Sequence, residues 1–171
     1  RRAEASLVSV EPATPGVDVP ARALGFVVAG GLVVTDARVA GEPGDAPLLD
    51  GRPAPTVAVD EWLSVAVVQA PPGADRALEV GDATTLEAGA TVLLPGTPVR
   101  HAVVTRAAAR VMGLALVELD VAPMPAAAGA PVLDATGKVV DVGASATKVV
   151  LVDEYSQVVS RGVVRSGVDY R

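Results

Sequence analysis

The stretch that decides the fold is Gly25-Phe-Val-Val-Ala-Gly-Gly-Leu-Val-Val-Thr-Asp-Ala-Arg-Val-Ala40. It places two apolar runs, rich in β-branched residues, on either side of Gly30-Gly31. Such runs are typical of β-strands, and paired glycines supply the positive φ angles that a tight hairpin turn needs. The stretch therefore predicts a hairpin of two strands, Phe26 to Ala29 and Leu32 to Thr35.

The same pattern of short Val, Thr and Leu runs, separated by Gly, Pro and Asp, recurs along the chain. It predicts an all-β class with many short strands. A second hairpin is indicated at Asp134-Ala-Thr-Gly137, where the glycine suits a left-handed position. The other predicted strands are Leu7 to Val10, Thr56 to Val59, Val65 to Gln69, Thr91 to Leu94, Ala102 to Ala107, Ala115 to Leu119, Val132 to Leu133, Val139 to Val142 and Val149 to Val152.

One helix is predicted near the end of the chain, from Asp153 to about residue 165. Asp153 is its candidate N-cap, and the apolar positions that follow have helical spacing. Three stretches rich in Pro and Gly are expected to be surface loops, because Pro removes a strand hydrogen-bond donor and Gly weakens a strand. These stretches are Glu11 to Pro20, Gly41 to Pro55 and Pro71 to Ala74.

Composition limits the classes of function. The chain has 171 residues, of which 50% are hydrophobic, and 14 basic against 20 acidic side chains give a net charge of −6. This fits one globular domain and excludes intrinsic disorder. The acidic balance argues against nucleic acid as a partner. The longest apolar run, Leu24 to Val34, is much shorter than the roughly 20 residues of a membrane helix, so no membrane span is predicted within this chain.

Residue counts also exclude several kinds of site. The sequence has no cysteine and a single histidine, His101. Disulfides, thiolate nucleophiles and zinc centres built from Cys or several His are therefore excluded, and no cofactor or metal is expected. Four aromatic residues are too few for platforms that stack sugars or bases. Because the first residue is Arg1, we expect the chain to be an excised part of a longer protein.

Several segments are informative because of their order along the chain. After the stretch from Gly25 to Ala40 come Leu48-Leu-Asp-Gly-Arg52, Val57-Ala-Val-Asp-Glu-Trp-Leu-Ser-Val-Ala-Val-Val68 and Glu118-Leu-Asp-Val-Ala-Pro-Met-Pro-Ala-Ala-Ala-Gly-Ala-Pro-Val132. Shorter matching segments are Val80-Gly-Asp82, Val92-Leu-Leu-Pro-Gly-Thr-Pro98 and Gly137-Lys-Val-Val-Asp-Val-Gly-Ala144. Over nearly the whole chain, this order resembles the trypsin-like serine proteases, specifically the bacterial HtrA/Deg branch.

The resemblance places other residues where that family has its catalytic triad. Arg38 stands at the general base, Ser64 at the aspartate and Ala128 at the nucleophile. The family mechanism needs an imidazole, a carboxylate that orients it and a serine hydroxyl. Around the nucleophile, the oxyanion loop is represented by Ala126, Ala127 and Gly129. The resemblance therefore implies a pseudoenzyme, since hydrolysis by the family route requires side chains that these positions lack.

The fold that the resemblance implies has two packed six-stranded antiparallel Greek-key β-barrels, at about residues 1–85 and 86–152, followed by a helix at about 153–165. It also implies that an extended protein or peptide partner binds a strand edge near Ala144, Ser145 and Ala146 by β-strand addition. By the same resemblance, we expect the domain to act outside the cytoplasm. The preference for Arg over Lys and the richness in Ala, Val and Gly suggest a bacterial source.

Two alternatives stay open. The chain could be a purely structural or regulatory domain with an occluded cleft, in which Arg38 fills the pocket. More remotely, it could be a hydrolase with a relocated site that uses Asp36, His101 or Ser145, because a fold does not fix a function. For Arg38 itself, pairing with Asp36 or Asp120 as a structural cation is the expected role, rather than anchoring an acidic group of a partner.

Overall fold

The computed structural model of the chain describes residues 4–16, 19–61, 63–74, 76–96, 98–111, 114–121 and 128–143, and the backbone at 151–152 and 158–160. Over these residues it consists of short strands, one α-helical turn and two 3-10 turns, Glu4–Ser6 and Ala83–Thr85. The regular elements are β1 (Leu7–Glu11), β2 (Ala23–Val28), β3 (Leu32–Asp36), α1 (Ala37–Ala40), β4 (Leu48–Leu49), β5 (Arg52–Pro53), β6 (Thr56–Asp60), β7 (Val65–Gln69), β8 (Thr91–Leu94), β9 (Arg100–Val111), β10 (Leu114–Leu119), β11 (Pro131–Leu133), β12 (Val139–Val142), β13 (Leu151–Val152) and β14 (Val158–Ser160).

The first half of the chain forms a seven-stranded antiparallel sheet in the order β5-β4-β1-β2-β3-β7-β6. Its central hairpin joins β2 to β3 and places Val28 opposite Leu32. Gly30 and Gly31 have φ angles of 84° and 70° in the connecting turn, as the sequence predicted. Val33 and Thr35 of β3 face the interior and are fully buried. The core neighbours of Val33 are small apolar residues from the other strands and from α1.

A second, five-stranded antiparallel sheet follows in the order β10-β9-β8-β11-β12. It has its own apolar core, which includes Val92, Val104 and Val140. The predicted hairpin at Asp134-Ala-Thr-Gly137 joins β11 to β12, and Gly137 has a φ of 84°. Both hairpins that the sequence predicted are therefore confirmed.

A third apolar cluster holds the two sheets together. It combines Phe26 of β2 with Leu133, Val139 and Val142 of the second sheet, and with Leu78 of the connecting segment. This segment is bonded to both sides: the Leu78 N–H donates to the Val27 carbonyl at 2.8 Å. Three residues later, the Gly81 N–H donates to the Val139 carbonyl at 2.7 Å. The two curled sheets thus pack directly against each other.

The all-β prediction is confirmed, with corrections at three places. The described part of the chain has seven and five strands in its two main sheets, where six and six were expected. Strands β4 and β5 lie inside the stretch Gly41 to Pro55 that was predicted as loop, because Leu49 pairs with Val10 across the sheet.

None of the described helices is long and apolar enough to cross a membrane.

The predicted C-terminal helix is the third correction. Strand β14 lies within its range, and β14 pairs antiparallel with β13. Val158 and Val159 are β-branched residues, which favour strands over helices. The prediction of helix over residues 158–160 is therefore wrong, and residues 153–157 and 161–165 of its range lie outside the described residues.

Replacement of Phe26 tests the apolar junction between the sheets. Phe26 is 1% exposed. We expect Phe26→Ala to lower the free energy of unfolding by about 3–5 kcal/mol, because it removes a large buried ring and leaves a cavity. Urea unfolding followed by circular dichroism measures the loss. The control Val57→Thr changes a side chain that is 51% exposed and should cost less than about 1 kcal/mol. Equal losses in the two variants would contradict the described junction.

The carboxylate of Asp134 closes the β11–β12 turn. Its Oδ1 accepts hydrogen bonds from the Thr136 N–H at 2.8 Å, the Thr136 hydroxyl at 2.7 Å and the Lys138 N–H at 2.9 Å. Partial desolvation raises the pKa of Asp134, but hydrogen bonds from Thr136, Lys138 and Gly137 together lower it by more. The pKa of Asp134 therefore lies below its ordinary value.

This shift predicts a pH-dependent contribution to stability. A depressed pKa stabilises the fold above the unfolded-state pKa, and that contribution is lost as the pH falls through the folded-state pKa. We expect Asp134→Ala to cost about 1 kcal/mol near neutral pH, since partial exposure to water weakens the interaction. The cost should shrink toward a pH of about 3. Urea unfolding of the parent and of Asp134→Ala at both pH values tests this, and a cost that is the same at both pH values would contradict it.

Candidate functional site

Helix α1 is a single turn that directly follows β3 and carries Arg38. Asp36, at the end of β3, is its N-cap, and the Asp36 Oδ1 accepts a hydrogen bond from the Arg38 N–H at 2.9 Å. A carboxylate suits this position because the first N–H groups of a helix have no partner within the helix. At the other end, the Thr56 hydroxyl donates to the Ala40 carbonyl at 2.6 Å. Both ends of α1 are thus fixed to the first sheet.

The Arg38 side chain turns back onto the same carboxylate. Its Nε lies 3.1 Å from Asp36 Oδ1, and its Nη2 lies 2.9 Å from Asp36 Oδ2. The Asp36 side chain is 1% exposed and that of Arg38 is 38% exposed. A forked guanidinium–carboxylate pair of this kind is strong and directional. The expected pairing of Arg38 with Asp36 is confirmed, whereas Asp120 instead accepts a hydrogen bond from the Val103 N–H at 2.7 Å.

Ser64 lies beside α1, in the turn between β6 and β7. Its carbonyl accepts a hydrogen bond from the Ala37 N–H at 2.9 Å. The φ angle of Ser64 is 54°, a left-handed conformation that few residues other than glycine adopt. Such a backbone persists only where its surroundings hold it, and here the bond to Ala37 helps to do so.

The segment Ala128–Gly129 approaches the same place from the second half of the chain. Ala128 is completely buried and packs with the core of the first sheet, although the next strand, β11, belongs to the second. Its carbonyl accepts a hydrogen bond from the Leu24 N–H at 2.8 Å. On the other side, the Gly129 N–H donates to the Gly143 carbonyl at 2.6 Å, just beyond β12.

Gly129 is the point of closest approach between this segment and the first sheet. Its φ is 76°, and a Cβ at this position would overlap the Leu24 carbonyl oxygen. The same Cβ would lie 2.8 Å from the Asp36 nitrogen and 2.8 Å from the Thr35 hydroxyl. Only glycine fits both the conformation and the space. The backbones of Gly129 and Asp36 are therefore in direct contact.

These contacts place Ser64 beside α1 and the Ala128–Gly129 segment beside β2 and β3, at the boundary of the two sheets. The protein's one histidine is elsewhere: His101 is exposed on β9 and pairs with Leu93 of β8. The predicted site residues Ala126, Ala127, Ala144, Ser145 and Ala146 lie outside the described residues. Over the part that is described, no group of three His, Cys, Asp or Glu side chains could hold a metal ion.

The sequence of this region matches a known family. The profile of the trypsin-like peptidase domain covers residues 23–142, which is more than half of the chain. The chain belongs to the trypsin-like peptidase family. Among curated proteins, no sequence matches it.

Two solved structures have folds similar to that of this chain. The crystal structure of Deg5 has a TM-score of 0.65 and 18% identity, with 84% of this chain and 80% of Deg5 covered. The HtrA-type protease AlgW, solved with a tripeptide, has a TM-score of 0.67 and 18% identity, with 96% of this chain and 57% of the AlgW chain covered. This chain thus spans little more than half of AlgW. At such identities the likeness concerns the fold, and it confirms the predicted trypsin-like double β-barrel.

Part of the site geometry was missed by the sequence reading. Helix α1 was not predicted, although Asp36 before Ala-Arg-Val-Ala is a recognisable N-cap signal. The contact of Gly129 with Leu24 and Asp36 was also missed. This contact joins residues about a hundred positions apart, and no pattern in the sequence indicates it.

A matched pair of glycine variants tests this contact. Gly129→Ala should cost at least about 3 kcal/mol of unfolding free energy, or prevent folding, because the new Cβ meets backbone atoms. Gly137→Ala has a similar φ of 84° but open space around the Cβ, so only the conformational cost of about 1 kcal/mol is expected. Soluble yield and urea unfolding provide the measurement. If both variants lose the same stability, the described approach of Gly129 is wrong.

Proposed function

We propose that this trypsin-like domain is catalytically inactive, with Arg38, Ser64 and Ala128 at the positions of the general base, the aspartate and the nucleophile. The observation that carries the proposal is the forked ion pair between Arg38 and the buried Asp36, next to Ser64 and Ala128. A guanidinium held by a carboxylate takes up no proton from a nucleophile. Ala128 has no oxygen with which to attack a carbonyl, and Ser64 has no charge to stabilise an imidazolium.

The proposal extends to the oxyanion loop of Ala126, Ala127 and Gly129. In the family motif, a glycine stands where this chain has Ala126. A Cβ there penalises the unusual backbone that aims N–H groups at a developing oxyanion. On this proposal, the chain has lost the geometry of the oxyanion loop as well as the three side chains of the catalytic triad.

For the role that remains, we propose binding of a protein or peptide in an extended conformation. Strand β12 is the last strand of its sheet within the described residues, and it leads through Gly143 toward Ala144, Ser145 and Ala146. At Val139 its outer N–H and carbonyl are bonded to Glu79 and Gly81, so the edge that we propose for a peptide lies beyond Gly143. Edge strands have free N–H and C=O groups that an extended peptide can pair with. The resemblance to HtrA proteases supports this mode of binding, and it favours a location outside the cytoplasm.

A structural or regulatory role is the second candidate, and one observation favours it. Ala128 is 0% exposed and belongs to the apolar core of the first sheet. If the nucleophile position is buried, no open substrate cleft reaches it. The domain would then act through another surface, or as a rigid part of a larger protein.

The absence of hydrolysis is directly testable. We expect the protein to leave fluorescently labelled casein uncut and to remain unlabelled by a fluorophosphonate probe, since Ala128 has no hydroxyl to react. Any residual cleavage should survive unchanged in His101→Gln and Ser145→Ala. Cleavage that either substitution abolishes would overturn the proposal and establish a relocated active site.

Peptide binding is tested by selection from phage-displayed random decapeptides, followed by fluorescence anisotropy of the selected peptides. Ser145→Pro removes a backbone N–H from the segment that we propose to bind the peptide, and Arg38→Gln alters the cleft, so each should weaken binding by at least about tenfold. The control Arg106→Gln, on a side chain that is 70% exposed on β9, should bind like the parent. If no selected peptide responds to Ser145→Pro or Arg38→Gln, the structural role is the correct one.

A further inference from the structure

The turn between β4 and β5 carries a pair of residues that can react with each other. Asp50 and Gly51 form this turn, and they are the only Asp-Gly pair in a sequence that contains no asparagine. An aspartate is attacked most readily by the backbone nitrogen that follows it when the next residue is glycine, because glycine has no side chain to shield that nitrogen. The sequence therefore concentrates this self-modification at one position.

The fold favours an Asp-Gly pair at this place. The φ angle is 48° at Asp50 and 78° at Gly51. Two consecutive positive φ angles characterise the type I′ turn, which joins two antiparallel strands and prefers Asn-Gly or Asp-Gly. Leu49 and Arg52 pair across the turn, as such a hairpin requires. In a chain without asparagine, the turn is made from the pair that can isomerise.

The turn is open to water, which takes part in the reaction. Asp50 and Gly51 are both exposed, and a Cβ built on Gly51 meets nothing within 4 Å. Strands β4 and β5 have two residues each, and both residues of β5 are exposed. Short elements at the edge of a sheet open locally more often than its core does.

Two hydrogen bonds to β1 hold Asp50 in the native turn. Its Oδ1 accepts a hydrogen bond from the Ser9 N–H at 2.8 Å, and its own N–H donates to the Ser9 carbonyl at 2.9 Å. The first bond fixes one carboxylate oxygen on β1, so it must open before the carboxylate can rotate freely. Because this bond is exposed, water competes for it.

We propose that Asp50 is a site of spontaneous isoaspartate formation, at a rate that the opening of its bonds to Ser9 controls. In this reaction the Gly51 nitrogen attacks the carboxyl carbon of the Asp50 side chain, one water molecule leaves, and a five-membered imide forms. Water then adds to the main-chain carbonyl of the imide and breaks its bond to the Gly51 nitrogen. One water molecule is lost and one is gained, so the mass is unchanged and no other reactant is needed.

The product changes the edge of the first sheet. The peptide bond to Gly51 now starts from the side-chain carbon, which lengthens the backbone of the turn by one methylene group. The carboxylate that accepted the Ser9 N–H is lost from its place. Leu49, which is fully buried, directly precedes the turn. The modification therefore loosens the anchoring of β4 on β1, independently of the proposed role of the cleft.

Incubation of the folded protein for several weeks at physiological temperature and pH tests the site. After denaturation, Asp-N protease cuts before aspartate but not before isoaspartate. We expect progressive loss of the cut at Asp50, at least about fivefold slower than in protein incubated in guanidinium chloride, because the native bonds must open first. The cut at Asp134, which lies in another turn but is followed by alanine, should persist. The proposal is overturned if the cut at Asp50 persists, if Asp134 is lost equally, or if folding does not slow the reaction.

Two core variants test the control by local opening. Leu49→Val weakens the anchor of the turn and should accelerate the loss of the Asp50 cut by at least about threefold. Val104→Ala, in the core of the second sheet, destabilises the protein at least as much but should stay within about twofold of the parent rate. Circular dichroism verifies that both variants are folded. Equal rates in the two variants, whether fast or slow, would contradict the proposed role of the Ser9 bonds.

Discussion

The contact of Ala128 and Gly129 with the first sheet is the constraint on which the arrangement of the two sheets depends. The Leu24–Ala128 hydrogen bond joins β2 to the segment that opens the second sheet's β11–β12 hairpin. Gly129 then passes so close to Asp36 that no side chain fits between them. Because Asp36 also caps α1 and pairs with Arg38, this one approach determines where the helical turn and its arginine lie.

The sequence predicted the features that depend on neighbouring residues, and it missed the features that depend on residues far apart in the chain. The Gly30-Gly31 and Asp134–Gly137 turns were predictable because a positive φ is required at one residue, whatever surrounds it. The pairing of Arg38 with Asp36 was also predictable, since two positions separate them. The family motifs then placed Arg38, Ser64 and Ala128 near one another before any contact was known.

Interactions over longer range account for the differences. Strands β4 and β5 form within a Pro- and Gly-rich stretch because β1 offers Leu49 a partner, which local propensity does not reveal. The helix expected after Asp153 rested on apolar spacing, but in a short segment that spacing also fits β-strands such as β14. The approach of Gly129 to Leu24 has no local signal at all, because it arises from the packing of two sheets.

The segment between the two sheets determines how the molecule can move. Leu78 is bonded to Val27 of the first sheet and Gly81 to Val139 of the second, so the connection is part of the folded structure rather than a free linker. A hinge needs a few residues whose backbone angles can change without breaking other contacts, and this segment has no such freedom where it is bonded. Opening of the two sheets as rigid bodies would first have to break these hydrogen bonds and separate Phe26 from Leu133 and Val139. The two halves should therefore unfold together, in a single cooperative transition.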